Sequence, residues 1–321
     1  MKPTRAAAAW TFLAVVGGAA LAGPTLGLRG PTEVLDGLVM RAVPPLTRAT
    51  AVRLADGTLR YAHEVRVDPS GAVALRRGAA WATLPPELLA GSSAQVAIER
   101  PLIVLGTDFF GRDLLSRLVH GARVSLVVGL LAAVIAVTIG GALGIASGLA
   151  GGLIDAAAMR ATDFALSVPR LFLLVLVGTL WRPSLAATIA IVGGTTWMTA
   201  ARVVRAEVLS LRERDHVRAA RTAGASPWRI ATRHVLPGVA GPLLVEGALR
   251  VAAAILLEAS LSFLGKGVPF GTPSWGGLIA EGRDRLADAW WISTLPGLAI
   301  AGTVVAVSLV ADAARERLVA R

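Results

Sequence analysis

Long apolar stretches alternate along the chain with short polar ones. Crossing a bilayer as a helix takes roughly 20 predominantly apolar residues. Six stretches are near that length: about 6–28, 122–149, 164–181, 184–204, 239–264 and 291–311. Only Arg182-Pro183 parts the third from the fourth, so those two helices are expected to be adjacent and antiparallel. The first stretch follows Lys2 and Arg5. It reads either as a signal peptide with a charged leading region or as an uncleaved anchor, and its long apolar run favours the anchor. The expected fold class is an all-α polytopic membrane protein with six transmembrane helices. Its parts are an N-terminus with the first helix (1–28), an extramembrane insert (29–104) and a five-helix core (105–321).

The insert has a different texture. It is polar, contains Pro and Gly, and mixes both signs of charge. The run AVRLADGTLRYAHEVRV (51–67) alternates around Asp56-Gly57, a hairpin-type turn signal. PSGAVALRR (69–77) offers a further strand. The pattern predicts a small β-containing insert; the alternative is a partly ordered loop.

Composition agrees with a membrane protein. The 321 residues are 55% hydrophobic but only 5% aromatic, with 35 glycines, and mean hydropathy is +0.66. Small residues let helix backbones approach closely where lipid supplies no hydrophobic drive. The net charge of +11 does not form the continuous basic face that nucleic acid needs, because the arginines sit between apolar stretches. No cysteine is present, so there is neither a disulfide nor a thiolate metal site.

The charge instead sets orientation. Residues Arg202–Pro237, between the fourth and fifth apolar stretches, carry eight arginines against Glu207, Glu213 and Asp215. Short cationic loops stay in the cytoplasm. The C-terminal DAARERLVAR is also basic, whereas the stretch from Gly265 to Trp290 is balanced. Six helices with both termini cytoplasmic satisfy this pattern and put the insert outside. Trp290 and Trp291 then mark the outer interface.

Within the Arg-rich segment, VRAARTAG reads as a short helix stopped by Gly224. Ser226 then serves as N-cap and Pro227 as the first residue of a second helix, which is expected to stop near Pro237. The product is a helix–turn–helix elbow. Small Ala219 and Ala220 suit insertion of its first helix into a groove on another protein; a solvated basic loop that only sets orientation is the plainer alternative.

This segment resembles the EAA loop of ATP-binding-cassette importer permeases. Ala219, Ala220, Gly224, Leu236 and Pro237 fall in register, while Arg218 replaces the usual Glu and His234 the usual Ile. LGTDFFGRDLLSRLVHGARVSLVVG (105–129), DAAAMRATDFALSVPRL (155–171), EASLSFLGKGVPFGTPSWGGLI (258–279) and WWISTLPGLAIAGTVVAVSLVADAARE (290–316) are similar to segments of the dipeptide, oligopeptide and nickel branch. In that branch 155–171 corresponds to the second cytoplasmic turn. The resemblance implies a MetI-like type I importer permease core in the bacterial cytoplasmic (inner) membrane. It also implies a second permease subunit, two cytoplasmic ATPase subunits that bind the ATP, an extracytoplasmic solute-binding protein, and surrounding membrane lipid. No cofactor is expected on this chain. The coupling loop would be 202–238, with Arg218, Ala219, Ala220, Gly224, Ala225, Ser226, Leu236 and Pro237 meeting the ATPase. Peptides are the first choice of substrate, nickel or another small solute the second. A channel or ion-driven transporter working alone is the rival, and a membrane anchor presenting the insert a weaker one.

Three charges fall inside the fifth apolar stretch: Glu246, Arg250 and Glu258. Charge within a bilayer is costly and marks function or pairing. Glu246 and Arg250 are spaced to pair on one helix face, either near the cytoplasmic headgroups or along the pathway. Glu258 either lines the pathway or bonds within the bundle. The Gly-rich 106–113 lacks the order of a phosphate-binding loop and reads as a structured turn. The four histidines show no metal-ligand spacing. With no nucleophile–base pair or nucleotide motif, no enzymatic activity is expected on this chain.

Overall fold

The computed structural model describes residues 3–23, 25, 27–91 and 97–319. Helix α1, Pro3–Ala22, closes earlier than the apolar stretch suggested. The long helix α2 spans Leu114–Ala150. It starts ahead of the predicted boundary because Asp113 caps it, accepting from the Ser116 amide at 3.2 Å. Then come α3, Gly152–Ser167, α4, Arg170–Leu180, α5, Leu185–Gly194, and α6, Trp197–Leu211. The elbow contains α7, Asp215–Thr222, and α8, Pro227–Ile230. A π turn, Ala231–Val235, joins α8 to α9, Leu236–Phe263. Last come α10, Trp275–Gly282, the single turn α11, Leu286–Ala289, and α12, Trp291–Val319.

Among the described residues, four helical runs are long and apolar enough to cross a membrane: Arg5–Ala22, Leu114–Ala150, Pro227–Phe263 and Trp291–Arg317. The third and fourth predicted spans are broken. Helices α3 and α4 meet at 86°, and α5 and α6 at 41°; six spans result if each bent pair counts as one. The first break follows from Pro169, which cannot continue α3 and disfavours the helical region for Val168. Residues 155–171, compared above to a turn, are mostly the helix α3. Arg205 of α6 holds α3 through two bonds to Asp155, at 2.5 and 2.6 Å.

Helix α2 is the hub of the core. Gly140, Gly144 and Gly148 recur every fourth residue and so share one face. A Cβ on Gly140 would lie 2.5 Å from the Trp197 carbonyl oxygen, and one on Gly144 2.6 Å from that of Ala201. The α2 and α6 backbones therefore touch, which a side chain at either position would forbid. On another face, Ala132 meets Leu174 of α4, Ile191 and Val192 of α5, and Ala254 and Leu261 of α9 in one buried cluster.

The insert is β-structured, as the alternation predicts. Strands β1 (Thr47–Arg48) and β8 (Leu102–Ile103) pair at its base. Strand β2, Thr50–Arg53, lies between β3, Leu59–Ala62, and β7, Ile98–Glu99. The β2–β3 hairpin turns at Asp56-Gly57: Asp56 accepts from the Thr58 amide at 2.8 Å, and Gly57 has φ +83°. Strands β4 (Glu64–Val67), β5 (Val73–Arg77) and β6 (Ala80–Leu84) form a separate antiparallel sheet. Val52, Ala62, Val73 and Leu75 fill a core between the two three-stranded sheets. The insert is stitched to the helical body at Thr107, whose hydroxyl accepts from the Val43 amide at 2.8 Å and whose carbonyl accepts from the Trp291 indole at 3.1 Å.

Candidate functional site: the elbow and the charges within the helices

The elbow folds as its sequence predicts through Trp228. Helix α7 closes in a paired-bond stop: the Ala225 amide donates to the Ala220 carbonyl and the Gly224 amide to the Arg221 carbonyl, both at 3.0 Å. Gly224 takes φ +78°, the left-handed conformation this stop requires. Ser226 then caps α8, accepting from the Arg229 amide at 3.3 Å, with Pro227 in the first turn. One expectation fails. The second elbow helix does not stop at Pro237 but runs through the π turn into α9. Pro237 follows directly on the π turn, whose last bond runs from the Leu236 amide to the Ala231 carbonyl, and the helical run continues past it.

The two sides of the elbow differ. Val217, Ile230 and Val235 are buried against Val204, Val208 and Leu211 of α6 and Val239 of α9, so the inner side is anchored. Ala219, Gly224, Ser226, Leu236 and Pro237 are exposed on the outside, and Ala220 and Ala225 half-buried. Trp228 is 78% exposed. Arg218, standing where the resemblance expects Glu, approaches Glu213 at 4.0 Å, both side chains exposed. Such a pair contributes little.

The structure places the charges of α9 in two settings. Glu246 and Arg250 form the expected ion pair at 2.9 Å. Arg250 Nε and Glu246 Oε1 are close but not aligned as a hydrogen bond, and both atoms are buried. Since the helical run is continuous from Pro227 to Phe263, the pair lies near its middle. Glu258 is wholly buried. It accepts from the Ser125 hydroxyl at 3.0 Å and the Ser262 hydroxyl at 2.7 Å. Ser125 in turn accepts from the Trp275 amide at 3.2 Å and Ser262 from the Val268 amide at 3.4 Å. The carboxylate thus braces both ends of the Val268–Trp275 segment and touches no open space. Glu258→Gln, which keeps one acceptor, should be milder than Glu258→Ala, which leaves both serines short of a partner. Hydrogen exchange at the Val268 and Trp275 amides reads this directly. Unchanged protection in Glu258→Ala would remove the bracing role.

The sequence reading missed a second polar centre. Asp108 Oδ2 accepts from Arg112 Nε at 2.6 Å and Arg117 Nη1 at 2.7 Å. Glu281 of α10 accepts from Arg117 at 2.5 and 2.9 Å and from Arg112 at 2.9 Å. Two acids and two arginines thus lock the head of α2 to α10. The signal was available in part: Arg117 lies inside an apolar helix and meets the same test that singled out Glu246 and Glu258. Nothing in the spacing tied it to Glu281.

A family model for the binding-protein-dependent transport system inner membrane component matches residues 140–321, the elbow included. The chain belongs to this family. It is an inner-membrane permease of an ATP-binding-cassette importer. The di/tripeptide transport system permease protein DppC of Pseudomonas aeruginosa (strain UCBPP-PA14) is 40% identical to this permease over 234 residues, 73% of this chain and 75% of that protein. The dipeptide transport system permease protein DppC of Escherichia coli (strain K12) is 44% identical over 215 residues, 67% of this chain and 72% of that protein. A solved structure, the inward-facing MetNI methionine ABC transporter in its CY5 native crystal form, aligns with TM-score 0.49 and 18% identity. That alignment covers 63% of this permease and 97% of the matched chain. The family match bears out the permease fold class and function expected from the sequence.

Proposed function

We propose that this permease forms half of a translocation pathway for peptides. A second permease subunit supplies the other half, and an extracytoplasmic binding protein delivers the solute. Two cytoplasmic ATPase subunits bind and hydrolyse the ATP, so no cofactor or catalytic residue is assigned to this chain. Both termini and residues 202–238 are cytoplasmic, and the 29–104 insert lies outside. The elbow carries this reading: its inner side is packed on α6 and α9 while Ala219, Gly224 and Ser226 stay exposed. A push on that outer side reaches the spanning helices through packed contacts, the requirement for a two-state device. The peptide relatives support the substrate class.

Uptake of a labelled dipeptide by the complex reconstituted in vesicles, dependent on ATP and on the binding protein, is the expected result. Uptake without ATPase subunits would favour the stand-alone transporter. Orientation is checked with a single cysteine at Ala223, since the native chain has no thiol. In intact cells it should resist an impermeant reagent added outside. Labelling there would overturn the topology.

A further inference from the structure

The two helix breaks fall side by side. The α3–α4 break at Val168-Pro169 and the α5–α6 break at Thr195-Thr196 border one cavity of about 230 Å³, lined by Ser167, Arg170, Thr195 and Met198 among others. Helices α4 and α6 both begin there, and neither has a side-chain cap. Their first turns therefore present uncapped amides and the positive ends of two helix dipoles. By contrast, the Thr195 and Thr196 hydroxyls donate back to the Ile191 and Val192 carbonyls of the α5 end, at 2.7 and 2.8 Å.

Arg170 adds a full charge. It is half-buried and has no ion-pair or hydrogen-bond partner among the described residues. Leu174, one turn further along α4, packs in the same cluster as Ala254 of α9. Arg250 lies one turn before Ala254, and its charge acts on the Arg170 guanidinium. Glu246 offsets one of the two cations. The locus keeps one uncompensated positive charge, two uncapped helix starts and a cavity. With residues 202–238 read as cytoplasmic, Arg250 lies 12 residues, about 18 Å, further along α9, at a depth where an unpaired charge is costly.

We propose that Arg170 binds the carboxylate of the transported solute at this place, midway across the membrane. This rests on the reading above that peptides are carried, and it assigns the peptide C-terminus to Arg170. Broken helices whose positive ends meet an anionic substrate group are a physically favourable way to hold such a group in lipid. The Glu246–Arg250 pair fixes the neighbouring charge, so Arg170 is left to the passing carboxylate.

The test uses the reconstituted importer with saturating binding protein and compares uptake of a dipeptide with that of its C-terminal amide. Removing a charge-assisted hydrogen bond should lower Arg170→Gln uptake of the free acid by about tenfold or more, with the amide little changed. The acid-to-amide ratio should therefore collapse while ATPase stimulation and subunit assembly persist. Arg170→Lys should recover most of the ratio. An unchanged ratio in Arg170→Gln would overturn the site while leaving the peptide reading intact. Loss of the second permease subunit from both variants would make Arg170 an interface residue and also overturn the site. A wild-type complex that carries no peptide but imports a solute without a carboxylate would overturn the site together with the reading beneath it.

Discussion

Gly224→Val is expected to leave the permease in the membrane but to uncouple ATP hydrolysis from uptake. A Cβ at Gly224 meets nothing within 4 Å, so the substitution creates no clash inside the chain. The cost comes from the backbone: φ is +78°, which a β-branched residue adopts only with strain. That strain is about 1–3 kcal/mol, equivalent to roughly a 5- to 150-fold shift between two arrangements. The helix stop relaxes by opening the Ala225–Ala220 and Gly224–Arg221 bonds, which re-aims α7 against its partner. Gly224→Asn serves as the control, because Asn tolerates the left-handed region and should retain much of the activity. Ala220→Trp tests the outer surface itself and should weaken ATPase binding. Normal ATPase binding and native uptake rates in both Gly224→Val and Ala220→Trp would mean the elbow is not the coupling element.

The largest stability effect is expected at Arg117. Its side chain is 2% exposed and bonded to both Asp108 and Glu281. Arg117→Ala leaves these two acids with Arg112 alone in a buried place. Breaking a buried ion pair by removing one partner costs about 3–5 kcal/mol. The head of α2 should then separate from α10, and Trp275, whose indole donates to the Leu118 carbonyl at 3.1 Å, should gain freedom. A lower melting temperature of the purified complex and faster proteolysis after Glu281 are the readouts. Arg117→Lys should fall between, since an ammonium cannot reproduce the forked contacts. A variant Arg117→Ala as stable as the native protein would mean that Arg112 alone holds the acids.

What the sequence revealed and what it hid follow from the range of the forces involved. The elbow was legible because a helix stop and a helix start are local: Gly224, Ser226 and Pro227 each act within four residues of themselves. The insert's hairpin was legible for the same reason, at Asp56-Gly57. The Glu246–Arg250 pair was visible because both members lie on one turn of one helix. The Asp108–Arg117–Glu281 cluster was not, since its members meet only after α2 and α10 have packed. The brace around Glu258 likewise depends on Ser125 from a distant helix. The 86° break escaped notice because composition reports that a stretch is apolar, not that it is straight. Pro237 misled in the opposite direction: a proline read as a stop sits just past the π turn, and the helical run continues through it.

The glycine contact between α2 and α6 has a mechanical consequence. Backbones that touch at Gly140 and Gly144 leave no soft layer of side chains to absorb displacement. Helix α6 leads straight into the elbow, and α2 runs 37 residues, which at 1.5 Å per residue is about 55 Å. The pair therefore acts as a stiff lever with its short arm at the elbow. On the proposed reading, a shift of a few ångströms at the outer side of the elbow is carried along the pair rather than dissipated, to the far end where α2 begins beneath the stitched base of the β insert.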